Sequence, residues 1–85
     1  MKLIVTENKI ISLENVKSVK MEDIISEKHT SKGVLYYLYQ SSISIKYFGN
    51  DCEHISFKDY RNKSELEKDM KQKIYDIITI LTNEK

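Results

Sequence analysis

A helix with one apolar side has to lie on something, and the stretch from Ser64 to Leu81 calls for such a helix. Leu66, Met70, Ile74, Ile77, Ile78 and Leu81 recur at spacings of four, four, three, one and three. That gathers them on one side of a 3.6-residue repeat, with Ile80 at the edge of the stripe. Ser64 with Glu67 three residues on reads as a capping box, in which two side chains satisfy amides that the first turn leaves without partners. Glu65 and Glu67 suit the positive end of the helix dipole. Glu67 with Lys71, and Asp69 with Lys73, are i to i+4 pairs in the favourable order. The spacing predicts a helix over 64–82, about 25 Å long. Tyr75 projects away from the stripe, beside Lys68, Lys71 and Thr79, and is a candidate contact residue for a partner.

The surface for that helix comes from Val34 to Phe48. Leu35, Tyr37, Tyr39, Ile43, Ile45 and Tyr47 share one parity, with only Ser41 polar among them. Ser41-Ser42 is a poor two-residue hairpin turn and the period runs straight through it, so one long, bent strand is expected. The other parity begins apolar, with Val34, Tyr36 and Leu38, and turns polar at Gln40, Ser42, Ser44 and Lys46. Half of this strand is therefore apolar on both faces, and a single helix covers only one.

The remaining segments are shorter. Leu3-Ile4-Val5 and Ile10 to Leu13 are strands about a turn at Glu7-Asn8-Lys9, where Asn8 best tolerates a left-handed backbone. Glu14-Asn15 breaks the alternation. From Lys17 it resumes, with Val19, Met21 and Ile25 on one side and Lys20, Glu22 and Ser26 on the other. Glu27 to Gly33, which contains His29, reads as a polar loop. Gly49-Asn50-Asp51 is a turn, Glu53, Ile55 and Phe57 belong to a return strand, and Lys58 to Lys63 is a link to the helix. The fold class is α+β: an antiparallel meander of four to five strands over 2–58 in a single domain, 1–85, with one C-terminal helix packed across one face. Val34, Tyr36, Leu38, Ile24 and Phe48 are left pointing away from the helix. An apolar patch of that kind on a small protein marks an interface, and a symmetric dimer is the commonest way to cover it.

Composition narrows the function classes. A net charge of +1 argues against a dedicated nucleic-acid or membrane-surface binder. No apolar run approaches a membrane span, and no charged-then-apolar leader opens the chain. One cysteine allows no internal disulfide and suits a reducing cytoplasm.

Chemically capable residues cluster once, at Asp51-Cys52-Glu53-His54, where alternation sets Cys52 and His54 on one strand face. Zinc needs three or four converging ligands, and no second Cys/His pair exists. Nucleophilic catalysis needs a third group to orient the base, and the sequence does not supply one. The segment therefore reads as a polar strand end, with no catalytic residue, metal or cofactor assigned. Tyr36, Tyr37, Tyr39 and Tyr47 are a candidate stacking platform for bases. Arg61, the sole guanidinium, stands just before the helix and with its free amides would suit a phosphate or carboxylate. The candidate ligand or partner residues are Tyr36, Leu38, Arg61 and Tyr75.

Lys2-Leu3-Ile4, then Ile11-Ser12-Leu13-Glu14-Asn15-Val16-Lys17-Ser18-Val19, then β segments, then Lys63-Ser64-Glu65-Leu66-Glu67-Lys68 follow a familiar order. The chain resembles small single-domain proteins of low-GC Gram-positive bacteria and their phages. In these an opening strand, an "I-x-L-x-N-V-x-S-V"-like stretch, a meander and a capped C-terminal helix recur. The resemblance implies that fold and a phage or prophage origin, and transfers no functional residue. The expectation is a non-enzymatic, homodimeric, cytoplasmic binding protein, a phage-encoded inhibitor of a host defence protein. The alternatives are a sponge for a cyclic or signalling nucleotide, and a small enzyme using Cys52 and His54.

Overall fold

A computed structural model describes residues 2–7 and 9–83. It is α+β, with two antiparallel sheets and one C-terminal helix. Strands β1 (Leu3–Val5) and β2 (Ile10–Ser12) form a small hairpin. The larger sheet contains β3 (Val16–Met21), β4 (Ile25–Ser31), β5 (Val34–Tyr47) and β6 (Cys52–Tyr60). Helix α1 spans Lys63–Thr82. The left-handed backbone expected at Asn8 lies outside the described residues. Among the described residues, no helix is long and apolar enough to cross a membrane.

The long strand predicted over 34–48 is the axis of the sheet. β3 and β4 share one of its edges, β3 along Ile43 to Tyr47 and β4 along Val34 to Gln40, while β6 takes the other edge. The strands are therefore not in simple meander order. Ser41 explains its own interruption of the apolar parity. Its Oγ donates to the Glu22 carbonyl at 2.8 Å and lies 3.0 Å from that of Asp23, and the Glu22 amide donates to the Ser42 carbonyl. The serine pair holds the place where the chain leaves β3 and steps onto the same edge of β5 as β4.

Several sequence expectations change. Glu27 to Gly33 is not a loop: β4 runs through it, and the turn is only Lys32-Gly33, with φ of 51° and 76°. Positive φ at both central residues suits the right-handed strand twist. β4 lacks the half-buried alternation because most of it is exposed on both faces, so backbone pairing to β5 defines it. Ile25 pairs with Gln40 and faces opposite to Val19 and Met21. Ile24 does not point away from the helix: it packs against the core. β6 continues through the expected link as far as Tyr60. Between Phe57 and Tyr60 it carries one residue more than β5 does between Ser41 and Tyr39, a bulge with Asp59 at φ 63°.

α1 starts one residue earlier than predicted, and its cap is Asn62 rather than Ser64. The Asn62 Oδ1 accepts from the amides of Ser64 and Glu65 and from the Ser64 hydroxyl. Ser64 is thus a residue of the first turn and not the cap of a box with Glu67. Neither Glu67–Lys71 nor Asp69–Lys73 closes to an ion pair among the described residues. Asp69 instead accepts from the Tyr60 hydroxyl at 2.6 Å. At the far end the Lys2 ammonium reaches the Leu81 carbonyl, the favourable sign for a helix C-terminus.

The core has three contributors: Ile4, Ile11 and Leu13 from the hairpin segment, Ile43, Ile45 and Ile55 from the sheet, and Leu66, Met70 and Ile77 from α1. Ile78, read as part of the stripe, is 49% exposed, and Ile80 packs against the core instead. The hairpin sets where the stripe ends: it shares the helix face of the sheet and turns the contact towards Ile77 and Ile80.

Candidate functional site

The core covers only the second half of β5. Val34 to Leu38 lie beyond the last β6 partner, which is Tyr60 opposite Tyr39, and with β4 they form a two-stranded arm. The molecule is accordingly long, 55 × 24 × 21 Å. Ile25, Val34, Leu35 and Tyr37 are all exposed on this arm, the first two on the face away from α1 and the last two on the other. Among the described residues the outer edge of β4 has no strand partner.

Of the four candidate contact residues, the structure brings two into contact. Tyr36 and Arg61 meet on the arm face away from α1, which Leu38 shares by strand parity. The Arg61 guanidinium carbon stands 4.2 Å from the centre of the Tyr36 ring, a cation–π contact. The His29 ring, directly across from Tyr36 on β4, stacks on it at 5.5 Å and 15°. His29 Nε2 lies 2.9 Å from the Glu27 carboxylate. Tyr36 and Leu38 are half-buried, and Leu35 and Tyr37 on the opposite parity are the more open pair. Arg61 is turned to Tyr36, and Asn62 already occupies the first helical amides, so the anion cradle expected there is filled from within. Tyr75 stands apart, 66% exposed, beside a shallow hollow of about 420 Å³ against β1.

The expected tyrosine platform is dispersed. Tyr36 alone of the four faces away from α1, whereas Tyr37, Tyr39 and Tyr47 share the helix-side parity. Tyr47 donates its hydroxyl to the Ser12 carbonyl at 2.6 Å, and burial, followed by the nearby Glu53 charge, raises its hydroxyl pKa. The Tyr60 hydroxyl is pushed up to about 12, chiefly because it donates to Asp69.

The sheet face opposite α1 is polar where the arm ends. Ser18, Lys20, Ser42, Ser44, Lys46, Cys52, His54 and Ser56 share it through the strand register. Ser44, 4% exposed, is the single buried polar residue among those described. Its Oγ lies 2.6 Å from Glu22 Oε2 and 3.2 Å from His54 Nδ1, and His54 Nε2 lies 3.9 Å from Cys52 Sγ. The hydrogen bond from Ser44 holds the Glu22 carboxyl below the usual carboxylate range. Burial opposes this, and the charges of Lys20, His54 and Lys46 add to it. Sequence reasoning paired Cys52 with His54 from their spacing but missed Ser44 and Glu22. No signal links these four, because register alone joins β3, β5 and β6. Among the described residues no group of three metal-ligating side chains converges. A wide polar cleft of about 910 Å³ runs beside β6, between the β1–β2 turn and Lys73.

No protein-family model matches the chain, and no curated protein or solved structure matches it either.

Proposed function

We propose that the protein is a non-enzymatic binding module that self-associates in the cytoplasm, with the β4–β5 arm as its contact surface. One observation carries the reading: the arm projects past both α1 and β6 and leaves Ile25, Val34, Leu35 and Tyr37 exposed. An aliphatic side chain left in water forgoes about 1.5–3 kcal/mol that full burial would provide. A second copy is the partner that fits best. Two copies that lay the Leu35 and Tyr37 faces of their arms together about a two-fold axis cover both exposed pairs at once. Glu27 and Lys28 give the strand both signs of charge, so the approach of an identical strand meets no single-sign barrier.

His29 and Arg61 cover Tyr36 and Leu38 is half-buried, while Leu35 and Tyr37 are the side chains free to meet a partner. The test is native mass spectrometry and light scattering on the wild type and on Leu35→Ser/Tyr37→Ser. The expected result is a wild-type dimer and a folded, monomeric variant. A bare wild-type monomer throughout the micromolar range, or a variant that stays dimeric, overturns the reading. The finer expectation, inhibition of a host defence protein by a phage-borne factor, rests on the sequence resemblance alone.

A further inference from the structure

The hydrogen bonds on the open face fix where the protons go. A serine hydroxyl has one proton to donate and two lone pairs to accept with. Ser44 spends its proton on the Glu22 carboxylate, since an ionised carboxylate only accepts and the 2.6 Å separation is that of a charge-assisted bond. The Ser44 oxygen must then accept from His54, so Nδ1 carries the imidazole hydrogen. In the neutral ring that leaves Nε2 with its lone pair free, and Nε2 is the atom facing the Cys52 sulfur at 3.9 Å. A nucleophile, a base and a pair of groups that orient the base are thus assembled from β5, β6 and the residue that follows β3. Lys46 is the cross-strand partner of Cys52, and Lys20 that of Ser44. Lys46 therefore stands next to the thiol, and Lys20 shares the same sheet face two strands away. The other charged neighbours are Glu22, already engaged, and Asp51 in the turn; Glu53 and α1 lie on the opposite side.

We propose that Cys52 is a reactive thiol that undergoes exchange with anionic low-molecular-weight disulfides. His54 acts as its base, and Ser44 and Glu22 are positioning residues. As the sulfur attacks one sulfur of the incoming disulfide, its proton passes to His54 Nε2. The new S–S bond forms as the old one breaks, and the departing thiolate takes the proton from His54, so charge and electrons balance. Two features favour this chemistry over acyl transfer. Disulfide exchange develops no oxyanion, so the flat, open strand face needs no donors to hold one. The chain has a single cysteine, so no internal thiol resolves the product, and the mixed disulfide persists until an external thiol removes it. The outcome is a stoichiometric, reversible modification, which fits a binding protein without requiring turnover. Lys20 and Lys46 select for negative charge on the incoming molecule.

The test uses the full chain and oxidised glutathione as the probe, followed by intact mass and by the rate of thiol consumption from pH 6 to 9. One glutathione adduct is expected on the wild type and none on Cys52→Ser. At neutral pH His54→Gln should slow the reaction roughly tenfold, below the 10²–10⁴ of a well-organised general base because 3.9 Å is a loose contact. The wild-type pH–rate profile should carry an inflection that His54→Gln lacks. Ser44→Ala and Glu22→Gln should slow the reaction by smaller factors. Lys46→Gln should reduce the rate with glutathione disulfide while sparing cystamine, a cationic disulfide. If His54→Gln, folded by circular dichroism, reacts at the wild-type rate with the same pH profile, the proposal fails. An absence of adduct on the wild type overturns it equally. Neither result depends on whether the arm dimerises.

Discussion

Ile45 and Leu35 lie on one strand, at one parity, and lose the same three carbons on replacement by alanine, yet the two substitutions should differ several-fold in cost. Ile45 is 0% exposed beneath α1, and Leu35 is 51% exposed on the arm. Three buried carbons at about 0.8 kcal/mol each come to roughly 2.4 kcal/mol of transfer energy. In the closed core a cavity term of about 1 kcal/mol is added, giving about 3.5 kcal/mol for Ile45→Ala, inside the range of measured core truncations. Leu35→Ala loses only about half the transfer energy and leaves no cavity, so roughly 1 kcal/mol is expected. For 85 residues the unfolding entropy is about 180 cal/mol/K, so each kcal/mol moves Tm by about 5–6 °C. Ile45→Ala should therefore melt about 20 °C below the wild type and Leu35→Ala about 5 °C below. The assay is thermal unfolding followed by circular dichroism at two protein concentrations a hundredfold apart. Self-association through the arm adds a concentration-dependent stabilisation to the wild type, so the Leu35→Ala gap should widen at high concentration while the Ile45→Ala gap stays nearly constant. Equal losses at low concentration would refute the division of β5 into a covered and an uncovered half.

Tyr60→Phe removes the hydroxyl that ties the end of β6 to Asp69 of α1, and should cost about 1 kcal/mol in urea unfolding. Because that hydroxyl is raised to about 12, above an ordinary tyrosine near 10, its contribution is complete below about pH 10 and is lost as pH rises through about 12. The gap between wild type and variant should close over that window, and a gap that persists above it would refute the hydrogen bond as the cause. Asn62→Ala should cost about 1 kcal/mol as the loss of a helix cap, and Ser64→Ala distinctly less. Urea melts giving the reverse order would restore Ser64 as the cap.

Much of the architecture is legible because burial leaves a periodic trace. Val34 to Tyr47 could be read as one strand from the parity of Leu35 to Tyr47, and α1 from Leu66, Met70 and Ile77. β4 was not legible, because a strand exposed on both faces carries no apolar alternation; Lys32-Gly33 was its best signal. The helix cap was misplaced by two residues because Asn62 and Ser64 both suit the role, and only backbone geometry at the helix start separates them. The candidate site was legible in pieces. Tyr36, Leu38 and Arg61 were named from their chemistry, but their use within the arm, and the greater openness of Leu35 and Tyr37, depend on where β6 stops.

Fold class, the long strand and the helix that lies on it are written into the residue order, since solvent exclusion imposes period 2 and period 3.6 directly on residue choice. Which half of that strand the helix covers, and that Glu22, Ser44, His54 and Cys52 stand in one line, emerges in three dimensions. Coverage and register are relations between segments. β3, β5 and β6 are joined by backbone hydrogen bonds that every residue type can make, so no side chain along the sequence records which strand lies beside which.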